Sequence, residues 1–204
     1  MLNTGLLDRA IAIIDGVKYK AINYHPKKYV RPDRLINPTA KAWVGLESIL
    51  SDIIEFSKIE TKSALEFGVE YGYSTAAIAN YFDSVVGVDT FTGDPHAGYH
   101  GNILEKTRNN LMGFPNIKLV KSDYKDYILE NTDRFDLVHV DIIHTYEDTF
   151  QCGLWAAQHS TVTLFHDTQS YKEVKQAVSD IAKKQPRNFT TIENSMGLGF
   201  YFEV

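Results

Sequence analysis

Five short apolar runs in this chain each lead into an acidic residue: Leu65-Glu66, Val88-Asp89, Val120 with Ser122-Asp123 just beyond it, Val140-Asp141, and Phe165-His166-Asp167. If the runs are adjacent strands of one parallel sheet, the acids line the edge where open α/β sheets take their ligands. Carboxylates there accept hydrogen bonds from hydroxyls, pair with cationic groups or ligate a hard cation. A row of such acids describes a ligand rich in hydroxyls and positive charge, with a metal ion as a candidate neighbour.

Two histidines accompany the last two acids. His144 follows Asp141 by three positions and His166 directly precedes Asp167. Strands neighbouring in a sheet lie about 4.8 Å apart, so Asp141 and Asp167 at their tips can share one ion or substrate. Carboxylates suit Mg²⁺, whereas His166 as a further ligand suits Mn²⁺ or Zn²⁺ better. His144, with an ordinary pKa of about 6.5, is a candidate general base. Each residue also has a plain structural reading: His144 as a hydrogen bonder at a loop-helix junction, His166 as a packing histidine, and Ser122 or Asp123 as the cap of the next helix.

These residues need a scaffold of alternating elements. Apolar periodicity predicts helices over 43–58, 74–82, 103–112, 124–129, 148–158 and 171–184, and strands over 64–67, 85–88, 117–120, 135–140 and 161–165. The runs 188–192 and 198–202, joined by a turn with Asn194, Ser195 and Gly197, read as a closing hairpin. Repeated strand-helix units demand right-handed crossovers and helices on both faces. The fold class is therefore α/β: a Rossmann-like, doubly wound, mostly parallel seven-stranded sheet with a C-terminal antiparallel hairpin. Residues 1–45 read as an N-terminal helical and loop extension, and 46–204 as the main domain.

The first strand ends in Glu66-Phe67-Gly68-Val69-Glu70-Tyr71-Gly72-Tyr73-Ser74. Gly68 and Gly72 suit a turn where backbone bends sharply or a ligand comes close. A dinucleotide site would want glycine at position 70, to approach a pyrophosphate. Glu70 stands there and would repel it.

The Glu-x-Gly-x-x-x-Gly turn instead resembles motif I of the class I S-adenosylmethionine-dependent methyltransferases. The resemblance implies S-adenosylmethionine as cofactor, with Glu66, Gly68, Gly72 and Ser74 around its methionine part, Asp89 on its ribose hydroxyls, and Ser122 and Asp123 near the adenine. The stretch Val138 to Asp148 with Phe165-His166-Asp167-Thr168 resembles a narrower branch, the metal-dependent macrocin and mycinamicin sugar O-methyltransferases and cephalosporin hydroxylase-like relatives. That branch implies Asp141, also beside the cofactor, with His166 and Asp167 around Mg²⁺ or Mn²⁺, and His144 as base. Ile142 stands where the branch has glycine, and His166 where it has an acid.

Bulk properties set the outer limits. The chain has 204 residues, 44% of them apolar and 23% charged, values ordinary for one folded domain. Its net charge of -5 argues against nucleic acid as a partner, and the absence of a long apolar run against a membrane. Asp8 and Arg9 interrupt the apolar start, unlike a secretory signal. A single cysteine, Cys152, points to the cytoplasm as the expected location. The segment 18–34 carries six basic residues and one acid, and reads as a solvated loop or a flap over an anionic ligand. The expected activity is methyl transfer from S-adenosylmethionine to a hydroxyl of a small molecule, a sugar or polyol. The alternatives are a non-catalytic methyltransferase-like binding module, a methyltransferase of macromolecules, and a nucleotide-dependent oxidoreductase. Both a monomer and a homo-oligomer remain open.

Overall fold

A computed structural model of the chain describes residues 21–22, 26, 28–36, 45–97, 100–185, 188–192 and 198–202. Strands β1 (Ala21–Ile22), β2 (Ser63–Phe67), β3 (Ser84–Asp89), β4 (Ile117–Lys121), β5 (Phe135–Val140), β6 (Ser160–Phe165), β7 (Asn188–Ile192) and β8 (Leu198–Phe202) form one sheet in the order β1-β7-β8-β6-β5-β2-β3-β4. All pairings are parallel except those of β8, which runs antiparallel to both β6 and β7. The sheet thus has eight strands rather than seven. The extra one is the two-residue β1, which pairs Ala21 with Thr191 and Ile22 with Ile192 at the β7 edge. A pairing that short carries no local sequence signal.

Helices α1 (Leu46–Ser57), α2 (Tyr73–Ala79), α3 (Leu104–Asn110), α4 (Tyr124–Glu130), α5 (Tyr146–Gln158) and α6 (Lys172–Lys184) connect the strands. The twofold period of the strands sorts their side chains between two cores. Ala64, Val85, Leu137 and Leu164 face α1 and α2, where they meet Leu46, Leu50 and Ile78. Leu65, Val88, Val138 and Phe165 face the other way, onto Cys152 and Ala156 of α5 and Val178 and Ile181 of α6. Cys152 is fully buried there, as an apolar core residue.

The described part of the basic segment is held against α1 and the turn before β4. Val30 exchanges hydrogen bonds with the Ser48 hydroxyl, at 2.8 and 3.0 Å, and Arg34 donates to the Gly113 carbonyl at 2.9 Å. The expected helix near the N-terminus and the turn with Asn194, Ser195 and Gly197 lie outside the described residues. No helix among the described residues is long and apolar enough to cross a membrane.

β2 pairs with both β3 and β5, so the chain reverses its winding direction there. The crevice outside the strand ends at such a switch point is where open α/β sheets bind ligands.

Candidate active site

The crevice is built on one close approach. β2 ends in Gly68 at a φ of 87°, and a Cβ on Gly68 would sit 1.6 Å from the Asp141 carbonyl oxygen. Only glycine lets the turn after β2 lie against the loop after β5. Asp141 N–H secures the seam by donating to the Phe67 carbonyl at 2.9 Å. From the other side Asp89, at the end of β3, holds the turn in place. Its Oδ2 accepts the N–H groups of Val69 and Glu70, at 2.8 and 2.9 Å, and its Oδ1 that of Phe91 at 2.6 Å.

Above this turn opens a cleft of about 560 Å³. Gly68, Asp89, Ser122, Asp123, Asp141 and His144 all line it, with His166 and Asp167 at one end. Asp123 also caps α4, its Oδ1 accepting Lys125 N–H at 2.8 Å, so its structural and its ligand-facing readings coexist.

Glu66, Gly72 and Ser74, expected as cofactor contacts, are not among the lining residues. Glu66 shares the strand face of Ala64, which turns it toward α2 and away from the cleft. It is fully buried. One carboxylate oxygen takes the Thr75 hydroxyl, and the other lies 2.8 Å from Nδ1 of His139, its register partner on β5. Gly72 begins α2 at a φ of 90°, where a Cβ would meet Leu111 at 2.8 Å. Ser74 is buried inside that helix.

The cleft also recruits residues that the strand-end pattern did not single out. Asp148, in the first turn of α5, accepts the Tyr124 hydroxyl at 2.7 Å, Lys125 Nζ at 2.7 Å and the Thr145 hydroxyl at 2.6 Å. Burial raises the Asp148 carboxyl, but Lys125, Thr145 and Tyr124 outweigh it and hold the pKa below its ordinary value. Thr145-x-x-Asp148 is a helix-capping signature, and that signal was available in the sequence. Glu70 is a further lining residue, as are Thr92 and His96 of the loop after β3.

At the far end two aspartates and two histidines converge. His144 Nε2 lies 3.0 Å from Asp167 Oδ2 and 3.6 Å from Asp141 Oδ1. His166 Nδ1 lies 3.0 Å from Asp167 Oδ2 and 3.4 Å from Asp141 Oδ1. The His144 ring stacks on Tyr171, at 4.1 Å, and on His96, at 5.2 Å, the three rings forming a triangle, and its backbone N–H donates to His96 Nδ1 at 3.1 Å.

Mutual charge dominates the ionisation of the group. Burial lowers both imidazoles, but the two carboxylates outweigh it and raise His144 to about 9 and His166 to about 10. Burial conversely raises both carboxyls. Hydrogen bonds from His144 and His166, with the charge of His166, bring Asp167 down to about 2, and the same partners hold Asp141 far below the usual range.

One ligand atom each from Asp141, His144 and Asp167 falls within a 4.8 Å group. Asp167 Oδ1 is buried there with no hydrogen-bond partner among the described residues. Two carboxylates, an imidazole and a spare buried oxygen fit a divalent cation. The sequence pattern had grouped His166 with the acids and set His144 apart as base. The geometry brings His144 into the group as well, while His166, only 5% exposed, lies against the same two acids.

Backbone strain gathers at the same edge. Glu70, Phe91 and Asp167 are non-glycine residues with φ of 50°, 56° and 58°, and each ends or follows a strand facing the cleft. Such conformations cost about 1–3 kcal/mol each and persist where the surroundings enforce them.

A family model described as "Methyltransferase domain" matches residues 65–168, which span β2 to the end of β6. Among solved structures, the O-methyltransferase NovP superposes with a TM-score of 0.63 at 15% identity, over 79% of this chain and 81% of that one. The O-methyltransferase from Bacillus cereus, solved with SAH, gives 0.55 at 18% identity over 83% and 82%. TomG from Streptomyces achromogenes, involved in tomaymycin synthesis and solved with SAM, gives 0.57 at 14% identity over 78% and 79%. An uncharacterized protein of Sinorhizobium fredii, y4gI, is 25% identical over 158 residues, which are 70% of this chain and 17% of that protein. The structures establish the shared fold, and the match over Gly68, Asp89, Asp141 and Asp167 establishes more: the chain belongs to the methyltransferase-domain family.

Proposed function

We propose that the protein is an S-adenosylmethionine-dependent O-methyltransferase acting on a hydroxyl of a small molecule, with a sugar or polyol as the acceptor class. Residues 46–204 form the methyltransferase domain in this reading, and 1–45 an extension. The observation that carries it is the continuity of one cleft from the Gly68 turn and Asp89 to the Asp141–His144–Asp167 group. A cationic cofactor suits the acids at one end, and an acceptor hydroxyl the polar cluster at the other. The acidic lining and net charge of -5 disfavour a nucleic-acid acceptor.

Methyl transfer displaces a sulfonium in line, so alignment of acceptor and cofactor is the main demand. Gly68 admits the cofactor to the turn, Asp89 receives its ribose hydroxyls, and Ser122 and Asp123 flank its base. Asp141, His144 and Asp167 would hold a divalent cation such as Mg²⁺ or Mn²⁺, with His166 Nδ1 fixing Asp167 at 3.0 Å. When bound, that ion supplies Lewis acidity, lowering the pKa of the acceptor hydroxyl. In a second reading His166 completes the cation site and His144 takes the acceptor's proton. That reading needs the neutral imidazole, whereas the two carboxylates raise His144 to about 9 and keep it charged at neutral pH.

Calorimetric titration with S-adenosylmethionine, NAD⁺ and Mn²⁺ tests the proposal. S-adenosylmethionine should bind and NAD⁺ should not; the reverse result would sink it. His144→Ala separates the two readings: weaker Mn²⁺ binding marks a ligand, and unchanged Mn²⁺ binding with lost turnover marks the base.

A further inference from the structure

Glu70 occupies the position where a phosphate-binding turn needs glycine, and it does so at a φ of 50°. Its backbone is held on both sides. The N–H donates to Asp89 Oδ2 at 2.9 Å, and the carbonyl accepts the Thr107 hydroxyl at 2.6 Å. With both groups held, the direction of the side chain is set by the turn, and Glu70 lines the cleft beside Gly68, Asp89 and Asp141.

A strained, half-buried carboxylate next to two others is costly. Burial, then the charges of Asp141 and Asp89, push its pKa up, and no cationic side chain among the described residues offsets them. Lys125, the one lysine lining the cleft among the described residues, is paired with Asp148. The histidine charges lie with Asp141 and Asp167. Among the described residues no positive charge is set against Glu70, and a ligand in this cleft can bring one.

We infer that Glu70 is a specificity-determining residue that reads the positive charge of the cofactor, favouring the sulfonium over the neutral thioether left after transfer. The inference rests on S-adenosylmethionine being the cofactor. Methyl transfer removes one positive charge from the sulfur, so the two forms differ at the atom a nearby carboxylate senses best. Glu70 then does two jobs: it holds the charged cofactor before reaction and loosens its grip on the product afterwards. The same charge explains why this turn departs from the glycine pattern that cradles phosphates.

The experiment is calorimetry with S-adenosylmethionine and S-adenosylhomocysteine on wild type, Glu70→Gln and Glu70→Gly, with a thermal melt of each. The ratio of the two dissociation constants should shift against S-adenosylmethionine by roughly tenfold in both variants, the usual reach of one charge a few ångströms from another. Glu70→Gly should also melt higher than wild type, because glycine takes a φ of 50° without strain. Loss of selectivity in a more stable protein is not what a merely structural residue produces. A ratio that stays within twofold of wild type in both variants overturns the inference. A wild type that binds neither compound overturns the cofactor reading instead.

Discussion

The two halves of the sheet edge neutralise their acids by different means. On the β3–β4 side Asp89 and Asp123 are tied to neutral backbone donors: Asp89 accepts three N–H groups and Asp123 one. On the β5–β6 side Asp141 and Asp167 lie against the imidazoles of His144 and His166. Backbone donors cannot leave without unfolding the turn. Imidazolium protons can be exchanged for a cation or a substrate proton. The first half is thus a fixed mould for a ligand, and the second an exchangeable charge cluster suited to chemistry.

The sharpest way to break that contrast is at the seam where the halves touch. Gly68→Ala places a methyl 1.6 Å from the Asp141 carbonyl oxygen, and either half must move. Denaturant unfolding should show a loss on the order of 3 kcal/mol, from strain at positive φ and the backbone clash together. An unchanged midpoint would mean the halves are not packed as described. Asp89→Ala comes next. It leaves three N–H groups without their acceptor and removes the proposed ribose contact, so S-adenosylmethionine affinity should fall by about 100-fold, or about 2.7 kcal/mol. Calorimetry checks this, and equal binding by the variant would dissociate Asp89 from the cofactor.

The two halves also differed in how far the sequence revealed them. Strand ends were legible because apolar runs stop where the chain leaves the core: β5, β7 and β8 have the bounds that periodicity predicts. Helix α2 was overextended to Phe82, since Tyr81 and Phe82 continue the apolar pattern but end the helix in a turn, their N–H groups both reaching the Ile78 carbonyl. Glu66 reads as a ligand contact because it is an acid at a strand end, yet its parity with Ala64 buries it and leaves it off the cleft lining. That both His144 and His166 reach Asp141 and Asp167 was not legible. That depends on Asp167 taking a left-handed φ of 58° and on His144 stacking on Tyr171 and His96, neither of which spacing encodes.

The exchangeable cluster should respond to the loss of one charge more mildly than the fixed half. Asp167→Asn keeps the shape but removes a carboxylate from the proposed cation group, so Mn²⁺ affinity should drop by roughly tenfold, about 1.4 kcal/mol. Binding of S-adenosylmethionine should stay within threefold of wild type. A variant that loses both together would show that the two halves act as one site.

The smallest effect belongs to Asp123, which has a structural duty on the fixed side and only a peripheral place in the cleft. Its Oδ1 accepts Lys125 N–H at 2.8 Å and so satisfies one of the free donors at the start of the seven-residue α4. Asp123→Ala should cost about 1 kcal/mol of stability, the usual value of a helix cap, and Asp123→Asn should restore most of it. If Asp123 also contacts the cofactor base through its side chain, the alanine variant will weaken S-adenosylmethionine binding beyond threefold even in fully folded protein. If the contact is only a rim, affinity will be unchanged while the melt shifts, and the fixed half reduces to Asp89 and the Gly68 turn.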